Sequence, residues 1–219
     1  MRVLVTGGAG FVGSVLVDRL MYEGHSVAVL DNFLYDQTSL LHMAGAPDLA
    51  IIRGDARDRR LVRPLLRQAD AIIPLACITG APACDADMPA AITTNFQAIR
   101  DLMADRTPTQ LVLYPNTNSG YGHGGDAPLT EDAPMRPQTL YAKLKMQAEQ
   151  AVLQAENTLS FRLATVFGPS PRMRLDLLVN DMVHRAVTDG FVVLYESHFR
   201  RNFVHVKDVA RLFLWGLKG

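Results

Sequence analysis

Only two cysteines, Cys77 and Cys84, occur in the 219 residues. That is too few to staple a chain of this size, so a disulfide framework is excluded and reduced thiols in a cytosol are expected. No apolar run reaches the ~18 residues of a membrane-spanning helix, so no membrane partner is expected. Glycines at 7, 8 and 10 interrupt the apolar stretch near the N terminus, and no secretory leader is expected there. Net charge is missing too. Lys+Arg and Asp+Glu each number 22, so no overall field draws the chain to nucleic acid, and none is expected as a partner. The local run "ARDRR" at 56–60 reads as solvated surface. The six histidines, at 25, 42, 123, 184, 198 and 205, show no paired ligand spacing, so no metal is expected. Internal repeats and low-complexity tracts are absent.

What is present is a hydrophobic content of 48%, enough for a sizeable core. Short branched runs predict strands at 2–5, 26–30, 49–53, 71–76, 110–114 and 159–164. Helical spacing is predicted from Val12 toward Gly24, and at 61–68, 90–105 and 140–156. Strands alternating with helices point to an α/β fold, a Rossmann-type doubly wound parallel sheet. Beyond about residue 168 the alternation degrades into a loop, a helix in "LDLLVNDMVHRAV" and a short strand "FVVLY". This divides the chain into residues 1–167, a nucleotide-binding domain, and 168–219, a small C-terminal substrate lobe.

The stretch "LVTGGAGFVGS", residues 4–14, places Gly7, Gly8, Gly10 and Gly13 directly after an apolar run. Glycine inside a helix or strand costs about 0.5–1 kcal/mol relative to alanine. A cluster therefore marks backbone that must bend tightly or approach something closely. Gly8, Gly10 and Gly13 satisfy the dinucleotide fingerprint, and Gly7, Gly10 and Gly13 fit equally well. The pattern follows a strand and opens a helix, the context in which backbone N–H groups hold a pyrophosphate. Asp31 ends the second strand, 31 − 13 = 18 residues after the last glycine. A carboxylate there accepts hydrogen bonds from the adenine-ribose hydroxyls and repels a 2′-phosphate, so NAD is the expected cofactor.

"YAKLK" puts Tyr141 and Lys145 one helical turn apart on one face. A tyrosine of ordinary pKa, roughly 10, is a poor base near neutrality. A fixed ammonium group beside it favours the phenolate and is expected to lower that pKa. An ordinary amphipathic helix fits the same spacing. Cys77 and Cys84 fall near the expected pocket and read as small buried thiols, with a nucleophilic role the alternative.

Further segments carry a resemblance: "GDARD" (54–58), "PLACITG" (74–80), Asn95, "NTNSGYG" (116–122), "RLATVFGP" (162–169) and "RRNFVHVKDVA" (200–210). With the glycine stretch and "YAKLK", they resemble, in order and along essentially the whole chain, the extended short-chain dehydrogenase/reductase family, and within it the nucleotide-sugar epimerase/dehydratase group. The resemblance implies cofactor contacts from Gly7, Gly10, Phe11, Val12, Gly13, Asp31, Asn32, Asp55, Ala56, Leu75, Ala76, Asn95, Tyr141 and Lys145. It implies catalysis by Thr117, Tyr141 and Lys145, with Tyr141 removing a sugar hydroxyl proton. It places a nucleotide-diphosphate sugar against Asn118, Ser119, Thr165, Asn180 and Arg201. Arg172 and Arg174 either join Arg201 on the diphosphate or remain exposed loop charges. The helices at 90–105 and 140–156 match those that pair in the family's homodimers.

Departures from the pattern narrow the chemistry. In the 4,6-dehydratases of that group the threonine is followed by an aspartate and a glutamate. Here Asn118 and Ser119 stand there, so epimerisation or 4-keto reduction is expected rather than elimination. A non-catalytic NAD-binding module of the same fold is the alternative. Members of the group continue well beyond the last signature, so the substrate lobe is expected to be partial.

Overall fold

Branched apolar segments fold into the six parallel strands of one sheet in the computed structural model, which describes residues 1–122, 129–195, 197, 198 and 200–218. His123 and Gly219 lie outside the described residues. The strands are β1 (Arg2–Thr6), β2 (Ser26–Asp31), β3 (Leu49–Arg53), β4 (Ala71–Pro74), β5 (Leu111–Thr117) and β6 (Thr158–Leu163). Helices α1 (Phe11–Tyr22), α2 (Arg59–Leu66), α3 (Ala81–Ala86), α4 (Met88–Ile92), α5 (Ala98–Asp105) and α6 (Leu140–Leu153) connect them. The sheet order is β3-β2-β1-β4-β5-β6. Winding therefore reverses between β1 and β4, and a crevice opens beyond their C-terminal ends.

Alternation along each strand fills two cores. Val3 and Val5 of β1 pack with Leu16, Val17 and Leu20 of α1, whereas Leu4 points to the other face with Val62 and Leu66 of α2. Leu113 and Tyr114 of β5 divide the same way. Both are fully buried, and burying side chains of this size contributes about 1.5–3 kcal/mol each. The doubly wound architecture read from the sequence is the one observed.

The C-terminal part builds differently. Strand β7 (Thr165–Phe167) pairs in parallel with β8 (Phe203–His205), with α7 (Leu178–Thr188) between them and α8 (Val206–Gly216) after them. Helix α8 packs on α1, and its Val209, Ala210 and Phe213 join the core of Val3 and Val5. Phe213 meets Phe161 edge-on, ring centroids 5.3 Å apart. Residues 206–217 thus serve the core of the N-terminal sheet.

Three elements differ from the sequence reading. "FVVLY" (191–195) is not a strand; Phe191 and Tyr195 are 65% and 86% exposed, and without a ladder partner a lone strand leaves its backbone unpaired. The helix expected at 90–105 is present but carries a π turn at Thr93–Gln97, where the Thr93 hydroxyl donates back to the carbonyls of Pro89 and Ala90. Helix α3 was not anticipated; Gly80 and Pro82 set its start. Among the described residues, no helix is long and apolar enough to cross a membrane.

Asp105 pins α2 to α5. It accepts hydrogen bonds from Arg59 Nε at 2.8 Å and Arg63 Nε at 3.0 Å. The Arg59 and then the Arg63 guanidinium hold its carboxyl at about 2, below its ordinary 3.8. A depressed folded value means the pair stabilises above the unfolded value and loses that contribution as pH falls from about 4 toward 2. Urea midpoints measured across that range should fall in the wild-type chain and change less in Asp105→Asn.

Candidate active site

The glycine turn is fixed by close backbone approach. Gly7 has φ +73°, and a Cβ there would stand 2.5 Å from the Ala76 nitrogen. A Cβ on Gly13 would stand 2.5 Å from the Gly7 carbonyl oxygen, whereas one on Gly8 would meet only side chains, 2.8 Å from Val29 Cγ1 at the nearest. Of the two glycine triplets allowed by the sequence, backbone contact thus singles out Gly7, Gly10 and Gly13. Gly10 caps α1 without any side-chain hydrogen bond. The N–H groups of the first turn, from Phe11, Val12 and Gly13, are therefore left to an outside acceptor.

Asp31, 7% exposed, ends β2 beside this turn. Its Oδ2 accepts from the Ala9 N–H at 2.9 Å and its Oδ1 from the Phe33 N–H at 2.8 Å. The Ser39 hydroxyl donates to the Ala9 carbonyl at 2.7 Å, so both backbone groups of Ala9 are held. Asn32 Oδ1 accepts from the Leu34 N–H. At the end of β3, Asp55 is gripped by Arg57, whose guanidinium holds that carboxyl below its ordinary value, and Ala56 packs against the core.

On the opposite wall, the Leu75 N–H donates to the Thr6 carbonyl at 2.8 Å, and Ala76 follows. Asn95, which the resemblance gives as a support of the following strand and a neighbour of the cofactor, is 1% exposed. Its Oδ1 accepts from the Ile78 N–H at 2.8 Å and its Nδ2 donates to the Ile78 carbonyl at 2.9 Å. Both ends of the amide are engaged, so Asn95 acts by shaping the loop after β4.

Thr117 closes β5; its hydroxyl accepts from the Ser119 N–H at 3.2 Å and donates to Ser119 Oγ at 3.1 Å. Tyr141 stands in the first turn of α6, packed with Cys84, Ala91 and Leu144. Lys145 is 5% exposed, and its Nζ lies 4.1 Å from the centre of the Tyr114 ring. Burial pushes the Lys145 ammonium below its ordinary value. The expectation that Lys145 lowers the Tyr141 pKa is not met in the protein alone. Burial pushes the Tyr141 phenol up, Cys77 and Cys84 add to that, and the Arg174 guanidinium opposes it. The physical reason is that the ammonium sits on the face of Tyr114. Burial also raises both thiols, Cys84 to about 11, so they are protonated near neutrality.

Residues expected at the substrate divide. Asn118 Nδ2 donates to Asn202 Oδ1 at 2.6 Å, bridging the end of β5 to the start of β8, and the Thr165 N–H donates to the Asn202 carbonyl at 3.2 Å. Arg201 is exposed beside them. Asn180, expected to touch substrate, is 5% exposed and engaged within the protein. It accepts from the Gly168 N–H and donates to the Arg174 carbonyl, both at 2.9 Å. Sequence reasoning missed Tyr114, Ser39 and Asn202. Tyr114 read only as the end of an apolar run, and nothing in the local pattern marks the other two. Among the described residues, no three His, Cys, Asp or Glu side chains converge as a metal site.

The model of the NAD dependent epimerase/dehydratase family matches residues 3–219. Low-salt glycan biosynthesis protein Agl12 of Haloferax volcanii is 30% identical over 219 residues, covering 95% of this chain and 70% of that protein. UDP-glucuronic acid decarboxylase 1 of Arabidopsis thaliana is 30% identical over 224 residues, covering 96% of this chain and 50% of that protein. The chain thus spans about half the length of the plant relative. MoeE5, solved with UDP-glucose and NAD, superposes with a TM-score of 0.81 at 29% identity, over 99% of this chain and 71% of that one. The UDP-N-acetylglucosamine 4-epimerase of Methanobrevibacter ruminantium, at 24% identity and a TM-score of 0.89 over 100% of this chain and 73% of that one, supports the fold.

The glycines make separable expectations. Gly7→Ala combines a left-handed backbone with a backbone clash and should destabilise by about 2–4 kcal/mol in urea unfolding. Gly10→Ala meets one atom, the Gly7 oxygen at 3.2 Å. It should stay within about 1 kcal/mol of wild type yet weaken binding of a dinucleotide in calorimetry.

Proposed function

From the premise that the chain belongs to the NAD-dependent epimerase/dehydratase family, we propose that it binds NAD and catalyses epimerisation or 4-keto reduction of a nucleotide-diphosphate sugar. The observation that carries this reading is the pairing of an uncapped helix N terminus at Gly10 with a buried Lys145 one turn from Tyr141. The residues present fit the cofactor. The first-turn N–H groups of α1 suit a diphosphate, and Asp31 suits ribose hydroxyls. Bound there, NAD supplies a hydride acceptor and donor.

The remaining chemistry belongs to side chains of the chain. Tyr141 Oη takes the proton of a sugar hydroxyl, commonly at C4, and later returns it. Thr117 Oγ1 hydrogen-bonds the same oxygen. Lys145 orients the cofactor ribose and steadies the phenolate once it forms. Arg201, joined by Arg174, holds the diphosphate as guanidinium forks do. Asn118 and Ser119 carry no carboxylate, and Asn118 is engaged with Asn202, which supports epimerisation over elimination of water. Solved structures such as MoeE5 with UDP-glucose and NAD support a uridine nucleotide. The reading extends to an isologous homodimer through α5 and α6, for which light scattering should return twice the monomer mass.

Three measurements test this. Titration should give tighter binding of NAD than NADP, with Asp31→Ala narrowing the gap; preference for NADP would defeat the assignment. Tyr141→Phe should retain NAD and lose about 10²–10⁴-fold in turnover, with Lys145→Ala losing both rate and cofactor affinity. Across a panel of nucleotide sugars, epimers or simple redox products are expected. A 4-keto-6-deoxy product formed with loss of water would refute the role given to Asn118 and Ser119, and full activity in Tyr141→Phe would refute the base.

A further inference from the structure

The segment Gly168–Asp176 makes contacts that neither the glycine turn nor Tyr141 requires. Ser170 Oγ lies 2.7 Å from the Phe11 carbonyl oxygen and 3.0 Å from Ser14 Oγ. Its single proton goes to the carbonyl, so the Ser14 hydroxyl donates to it. The Arg172 N–H donates to the same oxygen at 3.3 Å. The Arg172 guanidinium then stacks over the Tyr35 ring, 4.4 Å from its centre. One anchor is therefore the first turn of α1, and the other is the loop just past Asp31. These are the diphosphate end and the ribose end of the groove assigned to the dinucleotide. The base of the segment is held as well. Gly168 has φ +114° and backs onto the His205 ring, and Asn180 binds the Gly168 N–H and the Arg174 carbonyl.

We propose that Gly168–Asp176 is a strap that retains the dinucleotide in its groove, latched on α1 by Ser170 and on the loop past Asp31 by the stacking of Arg172 on Tyr35. The proposal rests on the reading of that groove as the NAD site. Ser170, Arg172 and Tyr35 are positioning residues: they set how long the cofactor stays and take no part in proton transfer. The sequence left Arg172 between a substrate clamp and a loop charge. Its stacking on Tyr35 places it on the cofactor side. A bound dinucleotide leaves the groove only when the latch opens, so the strap slows release.

The test is exchange of bound radiolabelled NAD against unlabelled excess, using the full chain. Arg172→Ala and Tyr35→Ala should each speed release by about three- to thirtyfold. The double variant should release no faster than the faster single, because both belong to one latch. Tyr35→Phe keeps the ring face and should behave as wild type, which a structural role for the phenol hydroxyl would not allow. Ser170→Ala should speed release through the other anchor and add to Arg172→Ala. Equal release from wild type, Arg172→Ala and Tyr35→Ala overturns the strap and leaves NAD binding standing. Failure of the wild-type chain to bind NAD overturns the reading of the groove, and the strap with it.

Discussion

Asp31 accepts the Ala9 N–H inside the protein, and the site is organised around that bond. It ties the β1–α1 turn to the end of β2, while Ser39 holds the carbonyl of the same residue. A turn containing Gly7, Gly8 and Gly10 has large conformational freedom when unfolded. Fixing it needs strong local partners, and a buried carboxylate accepting two backbone N–H groups is one. Once the turn is set, Gly7 can lie against Ala76 and Gly13 against Gly7. The α1 N terminus is thereby aimed at the crevice between β1 and β4.

The opposite wall is built by the same logic from different atoms. The loop after β4 has no regular ladder to complete its hydrogen bonds. Asn95, turned inward by the π turn, supplies both a donor and an acceptor to Ile78. The irregular helix is the means by which a buried amide reaches a loop, and it explains why the helix expected over 90–105 carries a π turn. Local propensity favours regular α-helix there; satisfaction of both Ile78 backbone groups adds the π turn.

Legibility from sequence followed the range of the forces involved. The six strands, their parallel order and the glycine turn were readable because period, β-branching and glycine are local signals. Tyr141 and Lys145 were readable as a pair, yet the electrostatics between them were not. The Tyr114 ring that holds the ammonium comes from a strand 31 residues away in sequence (145 − 114 = 31), where it looked like one more core residue. The family resemblance alone puts Asn180 at the substrate, and only the fold reveals that its amide is occupied by Gly168 and Arg174. Helix α8 carries a signature that reads as functional, while its inward face is core.

Charge around the crevice is distributed unevenly, and this bears on the chemistry. Asp31 is engaged with backbone, Asp55 with Arg57, Asp176 with Arg174, and Glu149 with Arg162 and Ser160. None of these carboxylates is left over to act as an acid or base beside Thr117. The groups that remain are a neutral amide pair, Asn118 and Asn202, a phenol whose ionisation burial opposes, and a buried ammonium. A phenol raised in this way is protonated near neutrality and ionises more readily when positive charge arrives. Lys145 can supply that charge if its ammonium moves off the Tyr114 ring toward Tyr141. Filling of the groove would favour that movement, since a ribose hydroxyl offers the ammonium an acceptor that the aromatic face lacks. On this argument the site becomes competent only when cofactor is in place, and residues that retain the cofactor matter to turnover without touching the reacting carbon.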